Sequence, residues 1–251
     1  MTGDVRGATI RRSHRTIRRG IGLGLILAVW CQAHGTQAQP VGSPASLLKE
    51  GQWVFGLNSG VLQRKIGSRH AKATFFEGGH FRGYGFSDRL SLFVEVGGGG
   101  STFKDPNFTG PGNSDKFGGN VLLSLQVKRK LWENAGRDWE WDGSLQYTFI
   151  GTPHKQRRNQ GLWYDGQMAT SIAKSFGRCK PYLGVKVPFD TFQFRRHLPS
   201  GTQTGQERWQ AAVGPFLGTD VYFGENQSIV VNLETAYVKG PEVNLSLGYR
   251  F

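Results

Sequence analysis

The chain has 251 residues, of which 37 are glycine, and a formal net charge of +13 at pH 7. This length fits a single all-β domain, and the glycines alternate with aromatic residues, which excludes low-complexity disorder. The basic charge would fit nucleic-acid binding, but the sequence contains no basic helix and part of the excess lies in an N-terminal segment. We therefore expect no nucleic-acid partner.

The first 38 residues have the order of a secretory signal peptide. Six arginines between Arg6 and Arg19 precede an apolar run over residues 21–30, and small residues lead to Ala38. The apolar run is too short for a membrane-spanning helix, which needs roughly 20 residues. The segment carries those six arginines and one aspartate, so its cleavage lowers the net charge from +13 to +8. It also leaves Cys179 as the one remaining cysteine, which excludes an intramolecular disulfide and a cysteine-based metal site.

The remainder of the chain predicts about ten β-strands, because apolar and polar residues alternate between turn-forming residues. In chain order the predicted strands are 52–62, 73–86, 90–97, 121–128, 139–150, 162–176, 182–189, 208–223, 229–237 and 242–251. Long polar loops are predicted at 98–116 and 195–207. Eight strands remain possible if the second strand or the sixth and seventh strands are misassigned.

The last strand is the most informative segment. Val243, Leu245 and Leu247 share one face with the terminal aromatic residues Tyr249 and Phe251, and polar residues share the other face. A last strand that ends on an aromatic residue is typical of outer-membrane β-barrels. We therefore expect Tyr249 and Phe251 to form an assembly signal that the barrel-assembly machinery recognises.

The fold predicted from these patterns is all-β, a single transmembrane antiparallel up-and-down barrel in the outer membrane of a Gram-negative-type bacterium. Residues 1–38 would be the signal peptide, 39–50 a short periplasmic lead-in and 51–251 the barrel. The alternative is a soluble lipocalin-like or sandwich protein. Aromatic residues near both ends of the strands favour the barrel, since two aromatic belts mark the membrane interfaces. The periplasmic belt would hold Trp53, Tyr84, Phe86, Trp132, Trp139, Phe176, Tyr182, Phe223, Tyr249 and Phe251, and the external belt Phe75, Phe149, Trp163, Tyr164, Phe189, Trp209 and Tyr237.

If the apolar faces contact lipid, the polar faces fill the lumen. A barrel of eight to ten strands is just wide enough for its own side chains, and an unpaired buried charge is costly. We therefore predict a lumen plugged by paired polar residues, with a narrow porin as the alternative. The predicted network is His80, Arg82, Glu95, Lys128, Glu140, Asp142, Asp165, Lys186, Asp220, Glu234 and Arg250.

The predicted external loops are rich in basic residues. Lysine and arginine at a barrel rim can bind the clustered phosphates of lipopolysaccharide by charge-assisted hydrogen bonds. The candidate contacts are Arg64, Lys65, Arg69, Lys72, Lys155, Arg157, Arg158, Arg195 and Arg196.

Two resemblances bear on function. Residues 216–223 and the last strand resemble the small OmpA-like and opacity-type outer-membrane barrels, which implies the fold and the location. Residues 49–57 and 87–97 resemble the opening strand and a turn-strand unit of the lipid A 3-O-deacylase barrels, which implies hydrolysis of lipid A acyl chains. That family carries a His-x-Ser-Asn motif, and the nearest segment here, His197 to Ser200, has a different spacing. The Asp-x-Asp and Asp-x-His pairs of omptin-type proteases are absent from the sequence.

The sequence therefore predicts a structural or surface-interaction role, with no catalytic residue, metal or cofactor. A deacylase-like barrel enzyme is the first alternative and the narrow porin the second. The expected partners are the outer membrane, lipopolysaccharide and the barrel-assembly machinery.

Overall fold

Most of the described chain is β-strand, because alternating apolar and polar residues suit a sheet with one lipid face and one wet face. The computed structural model describes residues 47–66, 71–104, 115–151, 160–198, 201–208, 212–238 and 240–251. Its strands are β1 (Trp53–Ile66), β2 (Ala71–Ser87), β3 (Leu90–Lys104), β4 (Asp115–Asn134), β5 (Trp139–Gly151), β6 (Gln160–Lys174), β7 (Cys179–Leu198), β8 (Gly201–Arg208), β9 (Gly214–Phe223), β10 (Ile229–Tyr237) and β11 (Pro241–Arg250). The predicted signal peptide lies outside the described residues. In the described part of the chain, no helix has the length and hydropathy needed to cross a membrane.

The strands close into an antiparallel barrel. Their order is β6-β5-β4-β3-β2-β1-β11-β10-β9-β7, and β7 pairs with β6 to complete a ring of ten strands. The short strand β8 pairs with the outer part of β7, over Thr191–Leu198, while β9 pairs with its inner part. The predicted barrel of about ten strands is confirmed, and the eight-strand alternative is wrong for the described ring.

The seam between β1 and β11 joins the two ends of the barrel. Val54 lies opposite Arg250 in register. One residue further, Trp53 and Phe251 exchange both backbone hydrogen bonds, each with an N–O distance of 3.1 Å. The start and the end of the described chain therefore lie at the same end of the barrel, together with the turns at 88–89, 135–138, 175–178 and 224–228. Short turns mark the periplasmic end of such barrels, and we call this the turn end; the opposite one is the loop end.

Two segments that were predicted to be loops are strand over much of their described length. The predicted loop 98–116 contains the end of β3, where Gly98, Gly99 and Gly100 pair with residues 76–78 of β2. Glycines carry no side chain that could reveal which face is buried, so the alternation was lost there. The predicted loop 195–207 is the β7–β8 hairpin, in which Arg195 pairs with Thr204. Its residues are largely polar on both faces and gave no strand signal.

The outer surface of the barrel is apolar and the inner surface is largely polar. On β4, Val121, Leu123 and Leu125 are 47–52% exposed. Ser124 and Gln126, which alternate with these apolar residues, are only 4% and 6% exposed. This is the reverse of a soluble protein, and a lipid bilayer is the environment in which such a surface is stable. The soluble alternative is therefore inconsistent with the fold.

Part of the lumen at the turn end is apolar. Leu48, Val54, Phe81 and Phe93 form a buried cluster there. Gly56 makes room for this cluster, because a Cβ at that position would collide with the Phe81 ring. The N–H of Leu48 donates to Ser91 Oγ at 3.0 Å. The end of the predicted lead-in therefore packs inside the barrel mouth.

Candidate functional site in the barrel lumen

A fully buried ion pair lies inside the lumen. Lys186 of β7 and Glu242 of β11 project inward from strands separated by β9 and β10, and the Lys186 Nζ binds Glu242 Oε2. Both side chains have a relative exposure of 0%. Because both charges are fully removed from solvent, each is stabilised in the lumen by the other.

A second group of contacts is centred on Tyr182 of β7. Its hydroxyl donates to Glu234 Oε2 at 2.9 Å and accepts from Asn232 Nδ2 at 2.8 Å. Asn232 Nδ2 also donates to Asp220 Oδ1 at 2.7 Å, and the Tyr222 hydroxyl donates to Asp220 Oδ2 at 3.2 Å. These contacts connect β7, β9 and β10 by side chains on the inside of the wall.

Basic side chains lie near the turn end of the lumen. Lys180 Nζ and Glu140 Oε2 are 2.6 Å apart. The guanidinium of Arg250 lies 4.9 Å from the centroid of the Tyr222 ring, a cation–π distance. Lys128 and the buried Asp142 face the same part of the lumen, beside a cavity of about 10 Å³.

Neutral and acidic groups occupy the lumen wall on β4, β5 and β6. Gln146 Nε2 donates to Ser124 Oγ at 3.0 Å and to Thr148 Oγ1 at 3.2 Å. On β6, Gln167 Nε2 donates to Asp165 Oδ2 at 2.5 Å. The lumen wall is therefore held by short-range hydrogen bonds as well as by ion pairs.

The structure places nine of the eleven residues predicted for the lumen network on the inner face, buried or half-buried. These are Glu95, Lys128, Glu140, Asp142, Asp165, Lys186, Asp220, Glu234 and Arg250.

The placement of His80 and Arg82 in the lumen is wrong. In register, Arg82 pairs with Phe55 and His80 pairs with Leu57, both of which are exposed on the outer face. The Arg82 guanidinium lies 4.9 Å from the centroid of the Phe55 ring. The glycines of β2 interrupt the alternation of apolar and polar residues. Which side chains of β2 face the lumen can therefore be assigned only from its pairing with neighbouring strands.

Several lumen residues were missed by the sequence prediction. Glu242 is the first residue of the predicted last strand 242–251, and it shares the inward face of Asn244, so the alternation already pointed to it. Asn232 shares the face of Glu234 and was detectable in the same way. Lys180 was assigned to a turn, and Glu77 lies in the glycine-rich strand β2 whose register was ambiguous.

The predicted aromatic belts were wrong at three of the described residues, which face the lumen. Phe75 and Trp163 face the lumen near the loop end, with exposures of 4% and 1% and ring centroids 4.4 Å apart. Tyr182 also faces inward. Around the turn end, the belt on the outer surface holds exposed rings at Trp53, Phe86, Trp132, Trp139, Trp141, Phe176, Tyr249 and Phe251.

Basic residues of the external rim are described only in part. Lys72 and Arg195 are exposed. Lys72 pairs in register with Lys65 on β1 and with Lys104 on β3, and Lys104 is exposed as well. We call Lys65, Lys72 and Lys104 the lysine row. Outside the described residues lie Arg69, Lys155, Arg157 and Arg158, together with the side chains of Arg64, Lys65, Arg196 and His197.

A closed ring, an apolar outer surface, a polar interior and a belt of aromatic rings define an outer-membrane β-barrel protein. Among solved structures, the chain is similar to the outer membrane protease OmpT of Escherichia coli, with 11% identity, coverage of 83% of this chain and 100% of that chain, and a TM-score of 0.48.

The chain is also similar to the outer membrane protein AlkL, with 11% identity, coverage of 86% of this chain and 97% of that chain, and a TM-score of 0.43. A third similar structure is Ail of Yersinia pestis, solved in complex with the heparin analogue sucrose octasulfate. Its identity is 13%, the match covers 80% of this chain and 99% of that chain, and the TM-score is 0.37. No protein-family profile and no curated protein sequence matches the chain. Identities at this level carry no activity from those proteins to this chain.

Proposed function

We propose that this protein is a non-enzymatic outer-membrane barrel with a structural or surface-interaction role, a lumen plugged by its own side chains, and a basic external rim that contacts lipopolysaccharide. The observation that carries the proposal is the Lys186–Glu242 ion pair, whose two side chains are fully buried inside the barrel and join β7 to β11, three strands further round the ring.

The contacts around this pair support a plugged lumen. Tyr182, Asn232 and Asp220 form a continuous hydrogen-bonded group on the neighbouring wall. The cavity beside Lys128 and Asp142 measures about 10 Å³, which is room for about one water molecule. Ions would have to displace these paired groups in order to pass.

Planar-bilayer recordings test the plug. We expect the purified protein to produce no steady ion current, because the paired side chains occupy the path. An open porin reconstituted in parallel serves as the positive control. Stable unitary conductance that scales with salt concentration would replace the plug with the narrow-porin alternative.

The lysine row supports the lipopolysaccharide contact. Lys72 shares the outward face with Phe76, which is 39% exposed and lies four positions nearer the turn end. Like charges directly opposite each other on neighbouring strands are destabilising, and a bound phosphate would relieve the repulsion. Outward-facing lysines at the loop end are suited to bind the phosphates of lipopolysaccharide by charge-assisted hydrogen bonds.

We expect the double substitution Lys72→Gln and Lys104→Gln to weaken the binding of lipopolysaccharide to the protein by about thirtyfold, since each of the two basic residues near an anionic surface contributes about 1 kcal/mol. The measurement is mass-spectrometric quantification of lipid A in protein purified in mild detergent. The control is Lys49→Gln with Arg137→Gln, which neutralises two exposed basic residues at the turn end.

Equal losses in both double variants would show that general charge, and not the lysine row, retains the lipopolysaccharide. Mass spectrometry of lipid A also tests the non-enzymatic part of the proposal. Lipid A from cells with and without the protein is expected to have the same mass, and loss of an acyl chain would replace the proposal with the deacylase alternative.

A further inference from the structure

The turn end has a notch on the outer side of its rim. It is a cavity of about 330 Å³, lined by Ser87, Arg89, Leu90, Arg129, Lys130 and Leu131. We call it the β3–β4 notch. None of its residues belongs to the lumen network or the external rim described above.

Unequal hairpin lengths form the notch. The turn between β2 and β3 consists of Asp88 and Arg89 alone, whereas β4 continues to Asn134 in pairing with β5. The Lys130 N–H donates to the Arg89 carbonyl at 2.9 Å. Beyond Lys130, β4 runs past the short turn, and a β-bulge between Lys130 and Trp132 bends it there.

The notch combines cationic and apolar groups. Arg89 and Arg129 are exposed, and Leu90 is the register partner of Arg129. Leu90 and Leu131 are 38% and 46% exposed on the lipid-facing side. Lys130 is paired with Glu133 at 3.0 Å, so the two arginines carry the charge that can be offered to a ligand.

The position of the notch selects the ligand. The neighbouring Trp132 is 52% exposed in the aromatic belt, and such belts mark the depth of lipid headgroups. At the turn end those headgroups belong to the periplasmic leaflet. Arginine binds phosphate oxygens with two parallel N–H groups and is the side chain best suited to phosphate recognition.

We propose that the β3–β4 notch binds an anionic glycerophospholipid of the periplasmic leaflet. The guanidinium groups of Arg89 and Arg129 hold the phosphate, and Leu90 and Leu131 contact the first part of an acyl chain. Basic pockets at membrane level recognise anionic lipid headgroups in the same way. The site is at the opposite end of the barrel from the lysine row, so it is independent of the lipopolysaccharide proposal.

Native mass spectrometry of the purified full-length protein in a neutral detergent tests the site, with phosphatidylglycerol and phosphatidylcholine as probes. We expect one phosphatidylglycerol to be retained in preference to phosphatidylcholine. The double substitution Arg89→Gln and Arg129→Gln should weaken its binding by about thirtyfold. The matched control is Arg137→Gln with Arg178→Gln, which removes two exposed arginines from other turns at the same end and should leave binding unchanged.

Heat-modifiable gel mobility confirms that each variant is folded before binding is compared. Equal retention of the two lipids by the native protein would overturn the proposal. So would an equal loss in the two double variants, or a notch variant that loses lipopolysaccharide but keeps phosphatidylglycerol.

Discussion

Replacing Glu242 by alanine is expected to lower the free energy of unfolding by about 3 kcal/mol, because it leaves the Lys186 ammonium buried without its main partner. Lys186 has a relative exposure of 0% and cannot reach water without opening the wall. Glu234 also interacts electrostatically with Lys186 and would still compensate part of its charge. We therefore expect a loss of stability at the lower end of the range for buried ion pairs that lose one partner. Urea-induced unfolding of the barrel in lipid vesicles, followed by tryptophan fluorescence, measures it.

The double variant Lys186→Met with Glu242→Leu is the matched control. It removes both charges and keeps most of the side-chain volume, so we expect it to unfold at a urea concentration close to that of the native protein. If the single and double variants lost equal stability, the cost would come from altered packing and the ion pair would have no specific role.

Deleting Phe251 is expected to reduce the folded barrel in the outer membrane to a small fraction of the native level. The residue closes the seam through its two backbone hydrogen bonds to Trp53, and its ring stacks on Phe55 with centroids 5.4 Å apart and an interplanar angle of 5°. The sequence also predicts that this terminal aromatic residue is part of the assembly signal. Heat-modifiable mobility of the protein in outer-membrane fractions gives the folded amount.

Two point variants separate the causes. Phe251→Ala keeps the backbone pairing and loses the ring, and we expect it to assemble poorly as well. Phe251→Tyr keeps an aromatic ring at the chain end and should assemble normally. Native levels of folded barrel after the deletion would contradict both the seam contribution and the assembly signal.

The sequence predicted the faces of the strands best where alternation is unbroken. On β5, Asp142 and Gln146 were assigned to the inside and Trp141 and Leu145 to the outside, and the structure confirms each of them. On β2 the glycines interrupt the pattern, and the inward assignment of Arg82 failed. A single-residue error in register moves every side chain of a strand to the other face, so such strands can be assigned only through their neighbours.

The partners inside the lumen could not be predicted from alternation. The pattern assigns Lys186 to a face, but it gives neither its height in the wall nor the residue opposite. Its partner Glu242 is 56 positions away in the sequence, and the two meet because β7, β9, β10 and β11 form one curved wall with both side chains on its inner face. The β3–β4 notch was unpredictable for a similar reason, since it depends on the different lengths of adjacent hairpins.

Ring closure also orders the folding of the barrel. Among the described strands, every pairing joins strands that are consecutive or separated only by the short β8, except that of β1 with β11, which joins Val54 to Arg250. The consecutive pairs can form as local hairpins, whereas the β1–β11 ladder requires almost the whole chain to form one loop. Because closing a longer loop has a larger entropic cost and non-local contacts form slowly, we expect this ladder to form last. Until it does, the nascent barrel has two unpaired strand edges, and those edges are the region that a folding assistant must shield.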